Sequence, residues 1–278
     1  MKILAQWTPW LLAAVAGFAT LPAWAGGPKP TLVMVGDNWC PYNCEPQAPQ
    51  RGYMVDVLEK VLAPYFTLTY QLKPWSRAVT MVESGEAQIL IATPSTTLQK
   101  IVPSAPMGVD QSCFFVRKGN PWRYKRLSDL NAVRLGVVQD YRYDDNGPLD
   151  SLIAGYRNRN DVRLETAVGE NALESNFRKL KAGRMDVVVE NENVGRYMVQ
   201  TLKLDDSVDF AQCANHHVAT THVAVSSKRA DAKQILSIIN NGVAELRRNG
   251  TLNTILKAYG MVDWQPTKAG KSEQVQKE

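Results

Sequence analysis

Apolar positions along the chain switch repeatedly between a period of two and a period near 3.6, the spacings of strand and helix. Thr31–Val35 is a short β-rich run. Met54, Val57, Leu58, Val61 and Leu62 recur at helical spacing and stop before Pro64. Phe66–Leu72 alternates as a strand; Pro74-Trp75-Ser76 opens a helix carrying Ala78, Val79 and Val82, which Gly85 ends. Ala87–Ala92 is a compact apolar strand. The order β-α-β-α-β predicts parallel strands with helical crossovers. Residues 36–52 interrupt it with a loop that has three prolines and no periodicity.

A second cycle follows a β-like stretch at Ser112–Arg117. Ser128-Asp129-Leu130 reads as a helical turn, Val133–Val138 as a strand, Leu149–Tyr156 as a helix and Val162–Thr166 as a strand. Asn171–Ala182 is a helix ending at Gly183, Asp186–Val189 a buried strand, and Val194 to Leu202 a helix. Val218–Ser226 is β-rich again, and helices over Asp231–Arg248 and Thr251–Tyr259 close the chain. The stretches at 112–117 and 218–226 bracket the second cycle, as two lobes joined by two crossing strands require. The expected division is residues 26–111 for the first part of lobe 1, 112–221 for lobe 2, 222–262 for the part of lobe 1 that the closing helices supply, and a polar tail over 263–278. Its last stretch, Gln265–Glu278, is expected to be disordered.

Composition is that of an ordinary globular protein, 45% hydrophobic and 21% charged over 278 residues. The net charge of +5 is mild, and basic runs such as Arg123–Arg126 and Arg157–Arg163 are short. Nucleic acid is therefore not an expected partner. The N-terminus reads as a secretory signal: Lys2, an uncharged apolar run from Trp10 to Leu21, and Ala23-Trp24-Ala25 before Gly26. The expected signal peptide is residues 1–25, since a run of about 12 apolar residues falls short of the roughly 20 that span a bilayer.

Export changes the reading of Cys40, Cys44, Cys113 and Cys213. An even count in an oxidising compartment favours disulfides. Cys40 and Cys44 are close enough to bridge across Pro41-Tyr42-Asn43, which leaves Cys113–Cys213 by elimination. The alternative is a CxxxC copper or redox site, but no Met or His lies near it in sequence.

The ordered set of motifs resembles the periplasmic solute-binding proteins of family 3, the amino-acid-type binding proteins of ABC transporters. Its carriers begin with Trp39-Cys40-Pro41-Tyr42 followed by Gly52-Tyr53-Met54-Val55-Asp56-Val57-Leu58, and Pro74-Trp75-Ser76-Arg77-Ala78 with Gly85-Glu86-Ala87. Pro106-Met107 through Lys118 is similar to the family's first crossing strand; Leu127-Ser128-Asp129-Leu130, Leu135-Gly136-Val137-Val138 and Gly183 to Val189 are similar to its second lobe. Leu246 to Thr251, with Ile255, Tyr259 and Gly260, is similar to its C-terminal ending. The resemblance implies an α/β, two-lobe periplasmic-binding-protein-like (type II) fold, hinged by two crossing strands. It further implies a monomer in the periplasm that binds a small polar solute, with an ABC permease or a membrane receptor as partner and no cofactor.

Two positions depart from that family. The position of the arginine that clamps an α-carboxylate falls on Thr97 or Gln99, with Lys100 the nearest cation, and the position of the Asp that pairs with the α-ammonium reads Asn191, between Glu190 and Glu192. Neither Thr nor Gln reproduces a bidentate arginine. An ordinary α-amino acid is not the expected solute, unless its charges are met from elsewhere.

Candidate contacts follow from strand ends. Trp39 and Tyr42 either stack on a solute or pack beside the cysteine bridge. Trp75 offers an apolar wall, and Arg77 either replaces the missing clamp or pairs locally at the surface. Thr93, Ser95 and Thr97 offer hydroxyls that orient a solute or merely serve the turn at Pro94. Tyr141 and Arg142 follow a strand, beside an Asp140 suited to a cation, and alternation at the next strand end turns one of Glu190 and Asn191 to the cleft. His216, His217 and His222 lack the spacing of a metal site and read as polar strand residues. No GxSxG, HExxH, Walker A or GxGxxG motif is present. The expected function is capture without turnover. The alternatives are a sensing module or a dehydratase-like enzyme on the same fold, using Glu190 with Arg77 as its acid/base pair.

Overall fold

The computed structural model describes residues 28–94, 100–214 and 219–265. The expected signal peptide, Ser95, Thr97, the His216-His217 pair and the tail beyond Gln265 lie outside the described residues. Among the described residues no helix is long and apolar enough to cross a membrane.

Two sheets form, each built round three parallel strands. In the first, β1 (Thr31–Gly36) lies between β2 (Thr67–Leu72) and β3 (Ile89–Pro94), parallel to both. Helices α1 (Tyr53–Leu62) and α2 (Trp75–Ser84) make the crossovers. In the second, β7 (Leu135–Val138) lies between β8 (Leu164–Ala167) and β9 (Val187–Asn191) in the same way, with α3 (Pro148–Asn158) and α4 (Ala172–Lys181) as crossovers. The predicted parallel pattern is therefore present twice. Buried on both faces, β7 reads as the unbroken apolar run Leu135-Gly136-Val137-Val138.

Antiparallel strands link the two halves. β6 (Ser112–Arg117) pairs with β9, and β10 (Val208–Cys213) pairs with β6 at the sheet edge. β11 (Ala219–Ser226) returns to the first sheet against β3, flanked by the three-residue strands β4 (Ile101–Pro103) and β5 (Gly108–Asp110). The chain thus crosses between sheets twice, once at Gln111 and once between β10 and β11. The sequence pattern missed β4, β5 and β10. The first two are short and carry Pro103 and Gly108; β10 has a bulge between Phe210 and Gln212 that breaks its alternation.

Both disulfides pair as expected, Cys40 with Cys44 and Cys113 with Cys213. Cys113 and Cys213 stand directly opposite on β6 and β10. The bridge therefore ties together the two segments where they leave the second sheet.

Long amphipathic helices cover the sheets. α1 buries Met54, Val57, Leu58, Val61 and Leu62, the five apolar positions whose spacing predicts it. α6 (Ala232–Arg248) and α7 (Thr251–Ala258) pack Ile235, Ile239, Leu252 and Leu256 into the same cluster as Leu32, Met34 and Ile89 of the first sheet. α5 (Glu192–Thr201) starts two residues earlier than its apolar spacing suggests, because the Asn191 side chain caps it by accepting from the backbone N–H groups of Asn193 and Val194.

Candidate functional site

In each sheet the chain passes from the central strand to one neighbour and then back across it to the other, giving the orders β2-β1-β3 and β8-β7-β9, so a crevice opens at the carboxyl end of β1 and of β7. Ligands in open α/β sheets bind at such switch points. Here the two crevices face one another. Between them lies a cavity of about 280 Å³. From the first sheet it is lined by Asp37 and Trp39 after β1, by Trp75, Ser76 and Val79 of α2, by Ala92 and Pro94 of β3, and by Asp110 at the end of β5. Asp140, Tyr141 and Arg142 after β7 line it from the second.

The loop after β1 is locked from within. The Trp39 and Asn43 backbones pair, the Tyr42 N–H donates to the Trp39 carbonyl at 3.0 Å, and the Cys40–Cys44 bridge closes the turn. The Asn43 side-chain amide donates to the Asp37 carbonyl. Gly52 sits against this turn at φ +102°, where a Cβ would stand 2.4 Å from the Asn43 Cα and 2.5 Å from the Tyr42 carbonyl oxygen. Left-handed strain and backbone overlap together predict that Gly52→Ala costs about 2–5 kcal/mol. Gly119 also has a positive φ but nothing lies within 4 Å of its added Cβ. Gly119→Ala should cost only about 1 kcal/mol when both variants are unfolded in urea. Equal losses would show that backbone conformation, not the crowding at the site loop, sets the cost.

Side chains join the lobes directly. The Trp39 indole N–H donates to Glu190 Oε1 at 2.8 Å, and the Tyr141 hydroxyl donates to Asp37. Asn191 Nδ2 donates to the Val109 carbonyl at 3.2 Å and to Asp110 at 3.0 Å, while Asn193 Nδ2 donates to the Tyr42 hydroxyl at 3.2 Å. Trp75 meets Tyr141 edge-on with centroids 6.2 Å apart.

Glu190 is a strongly perturbed carboxyl. It is 1% exposed, and its Oε1 also accepts from the Asn191 backbone N–H, whereas Oε2 has no hydrogen-bond partner among the described residues. Burial pushes it up to about 8, against the opposing effect of the Trp39 bond; Asp110 and Asp37 add to the rise. Burial likewise raises Asp37 to about 6, although the Tyr141 hydroxyl holds its anion.

The structure thus brings together Trp39, Trp75, Tyr141 and Arg142, with Asp140 beside them. Tyr42 is placed one layer deeper: fully buried, it stacks on Trp39 at 4.4 Å and donates to the Val109 carbonyl at 2.7 Å. Thr93 is buried too, its hydroxyl turned to the Pro94 carbonyl at 3.3 Å. Arg77 is not part of the cavity wall. It lies two residues after Trp75 on α2, a separation that puts side chains on different helix faces, and it forms an exposed ion pair with Glu86 at 3.0 Å. The alternation expected of Glu190 and Asn191 also fails: both are buried and both reach the other lobe, because the chain leaves strand geometry at Asn191 to start α5. His222 is a buried strand residue whose ring nitrogens meet the Ser104 carbonyl at 2.8 Å and Thr220 Oγ1 at 2.9 Å. Sequence reasoning missed Asp37, Asp110 and Asn193. The available signal for Asp37 was an acid placed directly after an apolar strand.

The family model for bacterial extracellular solute-binding proteins, family 3, matches residues 32–262. The chain belongs to this family. No curated protein matches it. Among solved structures, this family 3 protein is similar to a histidine kinase sensor domain with similarity to periplasmic binding proteins, at 21% identity and a TM-score of 0.69, covering 83% of this chain and 96% of that one. A structure from work on glutathione import via GshT and the cystine ABC importer TcyBC of Streptococcus mutans gives 18% identity and a TM-score of 0.70, covering 87% and 99%. A mutant of ArgBP from T. maritima gives 17% and 0.67, covering 82% and 94%. These likenesses establish the shared two-lobe α/β fold of the family 3 protein.

Proposed function

We propose that the protein is an exported, periplasmic and monomeric binding protein that grips one small polar solute between its lobes and releases it unaltered to an ABC-type permease. The supporting observation is the cavity walled from both sheets, at the carboxyl ends of both sets of parallel strands. A solute there touches both lobes at once, so its binding energy favours the closed arrangement over the open one. The S. mutans and T. maritima neighbours are named for import and for arginine binding, which agrees with uptake.

A sensing role is the second reading, favoured by the likeness to the histidine kinase sensor domain. A permease and ATPase encoded beside the gene would support uptake. An enzymatic role draws no support from the acid/base pair considered for it, since Arg77 is engaged with Glu86 at the surface while Glu190 is buried against Trp39.

A thermal-shift screen of amino acids, peptides, amines and organic acids tests the proposal. A true solute at a hundred times its Kd stabilises by about 2.7 kcal/mol. The radius of gyration should fall with the same compound. If no class of solute raises the unfolding temperature, or if a compound is consumed, capture without turnover is wrong.

A further inference from the structure

We infer that Tyr42, Asn191 and Asn193 set the angle between the lobes at the first crossing, as positioning residues that hold the hinge and leave the solute to others. The inference goes beyond the proposed function and rests on the two-lobe fold alone, since it holds whatever the solute is.

The argument starts from the connection. The chain leaves the first sheet at Asp110 and joins the second at Ser112, so only Gln111 lies between β5 and β6. Hinge motion is absorbed by backbone dihedrals at such element ends, and a link this short is held only by the groups that grip it from each side. Asn191 stands opposite Ser112 on β9. It is buried, and its side chain is fully committed. Oδ1 accepts from the backbone N–H groups of Asn193 at 2.9 Å and Val194 at 3.3 Å, which fixes the orientation of the amide. Nδ2 then donates to the Val109 carbonyl at 3.2 Å and to Asp110 Oδ1 at 3.0 Å. An amide side chain offers two donor hydrogens and two acceptor lone pairs, and here all four are used.

The bonds close into a circuit. Asn193 Nδ2 donates to the Tyr42 hydroxyl, that hydroxyl donates to the Val109 carbonyl at 2.7 Å, and the same carbonyl accepts from Asn191. The cap of α5 joins Asn191 back to Asn193. Tyr42 belongs to the loop after β1, Val109 to the strand that enters the crossing, and both asparagines to the start of α5 in the second lobe. The circuit therefore fixes the direction of β5 against both lobes. Gly108 lets β5 lie directly on Tyr42, since an added Cβ would stand 2.9 Å from the phenol ring's Cε1. On its other side Tyr42 stacks on Trp39, which walls the cavity. Hinge and cavity wall are thus in direct contact through one buried ring, and a dense interior passes on displacement rather than absorbing it.

Small-angle scattering of the solute-free exported chain tests this, with Tyr42→Phe, Asn193→Ala and Asn191→Asp compared against the wild type. Tyr42→Phe keeps the ring and removes the hydroxyl. Asn191→Asp keeps both acceptors of the α5 cap and removes both donors. Each variant should open the molecule, raising its radius of gyration by about 1 Å while its circular dichroism stays unchanged. Tyr42→Phe combined with Asn193→Ala should expand it no further than Tyr42→Phe alone, because both break the circuit at the same hydroxyl. If the buried carboxylate of Asn191→Asp prevents folding, the two uncharged variants decide. The inference is overturned if the folded variants keep the wild-type radius, or if the combined variant expands by the sum of its parts. Either result leaves the solute site standing, and a solute screen that fails leaves these radii to be judged by themselves.

Discussion

Replacing Cys113 and Cys213 together by alanine is expected to lower the unfolding temperature by about 10 °C, far more than replacing Cys40 and Cys44. The two bridges differ in what they deny the unfolded chain. Cys113–Cys213 spans a sequence separation of 100, whereas Cys40–Cys44 spans 4. The loop-entropy expression gives roughly 4.7 kcal/mol for the long loop and roughly 2 kcal/mol for the short one. For a chain of this size each kcal/mol moves the midpoint by about 2–4 °C. The binding consequence should run the other way. The short bridge closes the turn that presents Trp39 to the cavity, so its loss should weaken solute affinity more than its loss of stability suggests. Calorimetric scans of the two double variants decide the first point. Equal midpoints would mean that native packing round the bridges, rather than loop length, sets their worth.

Much of this architecture was legible because its strands and helices obey simple periods. The five apolar positions of α1 and the apolar run of β7 each bury the residues their spacing marks. The illegible elements are those whose existence depends on a distant partner. β4 and β5 are three residues each, and they are strands only because β11 returns to pair with them. The site divides in the same way. Trp39, Trp75, Tyr141 and Arg142 were identifiable as chemically distinctive residues at strand ends, and the cavity gathers them. Whether a side chain turns inward was not legible. Arg77 and Trp75 are two positions apart on one helix, and a 200° difference in direction separates an ion pair in solvent from a cavity wall. Asp37 and Asp110 gain their meaning from the second lobe, through Tyr141 and Asn191, which are 104 and 81 residues away in sequence.

Glu190 should make the protein measurably less stable, and its cleft more open, as pH rises from 6.5 to 8.5. The sign follows from its protonation. An ordinary glutamate titrates near 4.5, whereas burial lifts Glu190 to about 8. Between those values the closed, folded state keeps a proton that the unfolded chain has released, so stability falls with increasing pH throughout the interval. Held rigidly closed, the molecule would lose on the order of 5 kcal/mol across the whole interval. Opening offers a cheaper escape. Trp39, whose indole N–H donates to Glu190, belongs to the other lobe. Parting the lobes would take the Trp39 indole away and is expected to return water to the carboxylate without unfolding either sheet. Asp37 behaves alike but at lower pH, since it sits near 6. A comparison above pH 6.5 therefore isolates Glu190 from Asp37. Glu190→Gln mimics the protonated side chain: the amide oxygen can still accept from the Trp39 indole and the Asn191 backbone, and no charge develops. The variant should show a nearly flat unfolding temperature between pH 6.5 and 8.5 and a constant radius of gyration, where the wild type loses several degrees and expands. If wild type and variant decline in parallel, the charge on Glu190 is not what governs closure, and the interlobe contacts at Asp37 and Asn191 hold the cleft without regard to it.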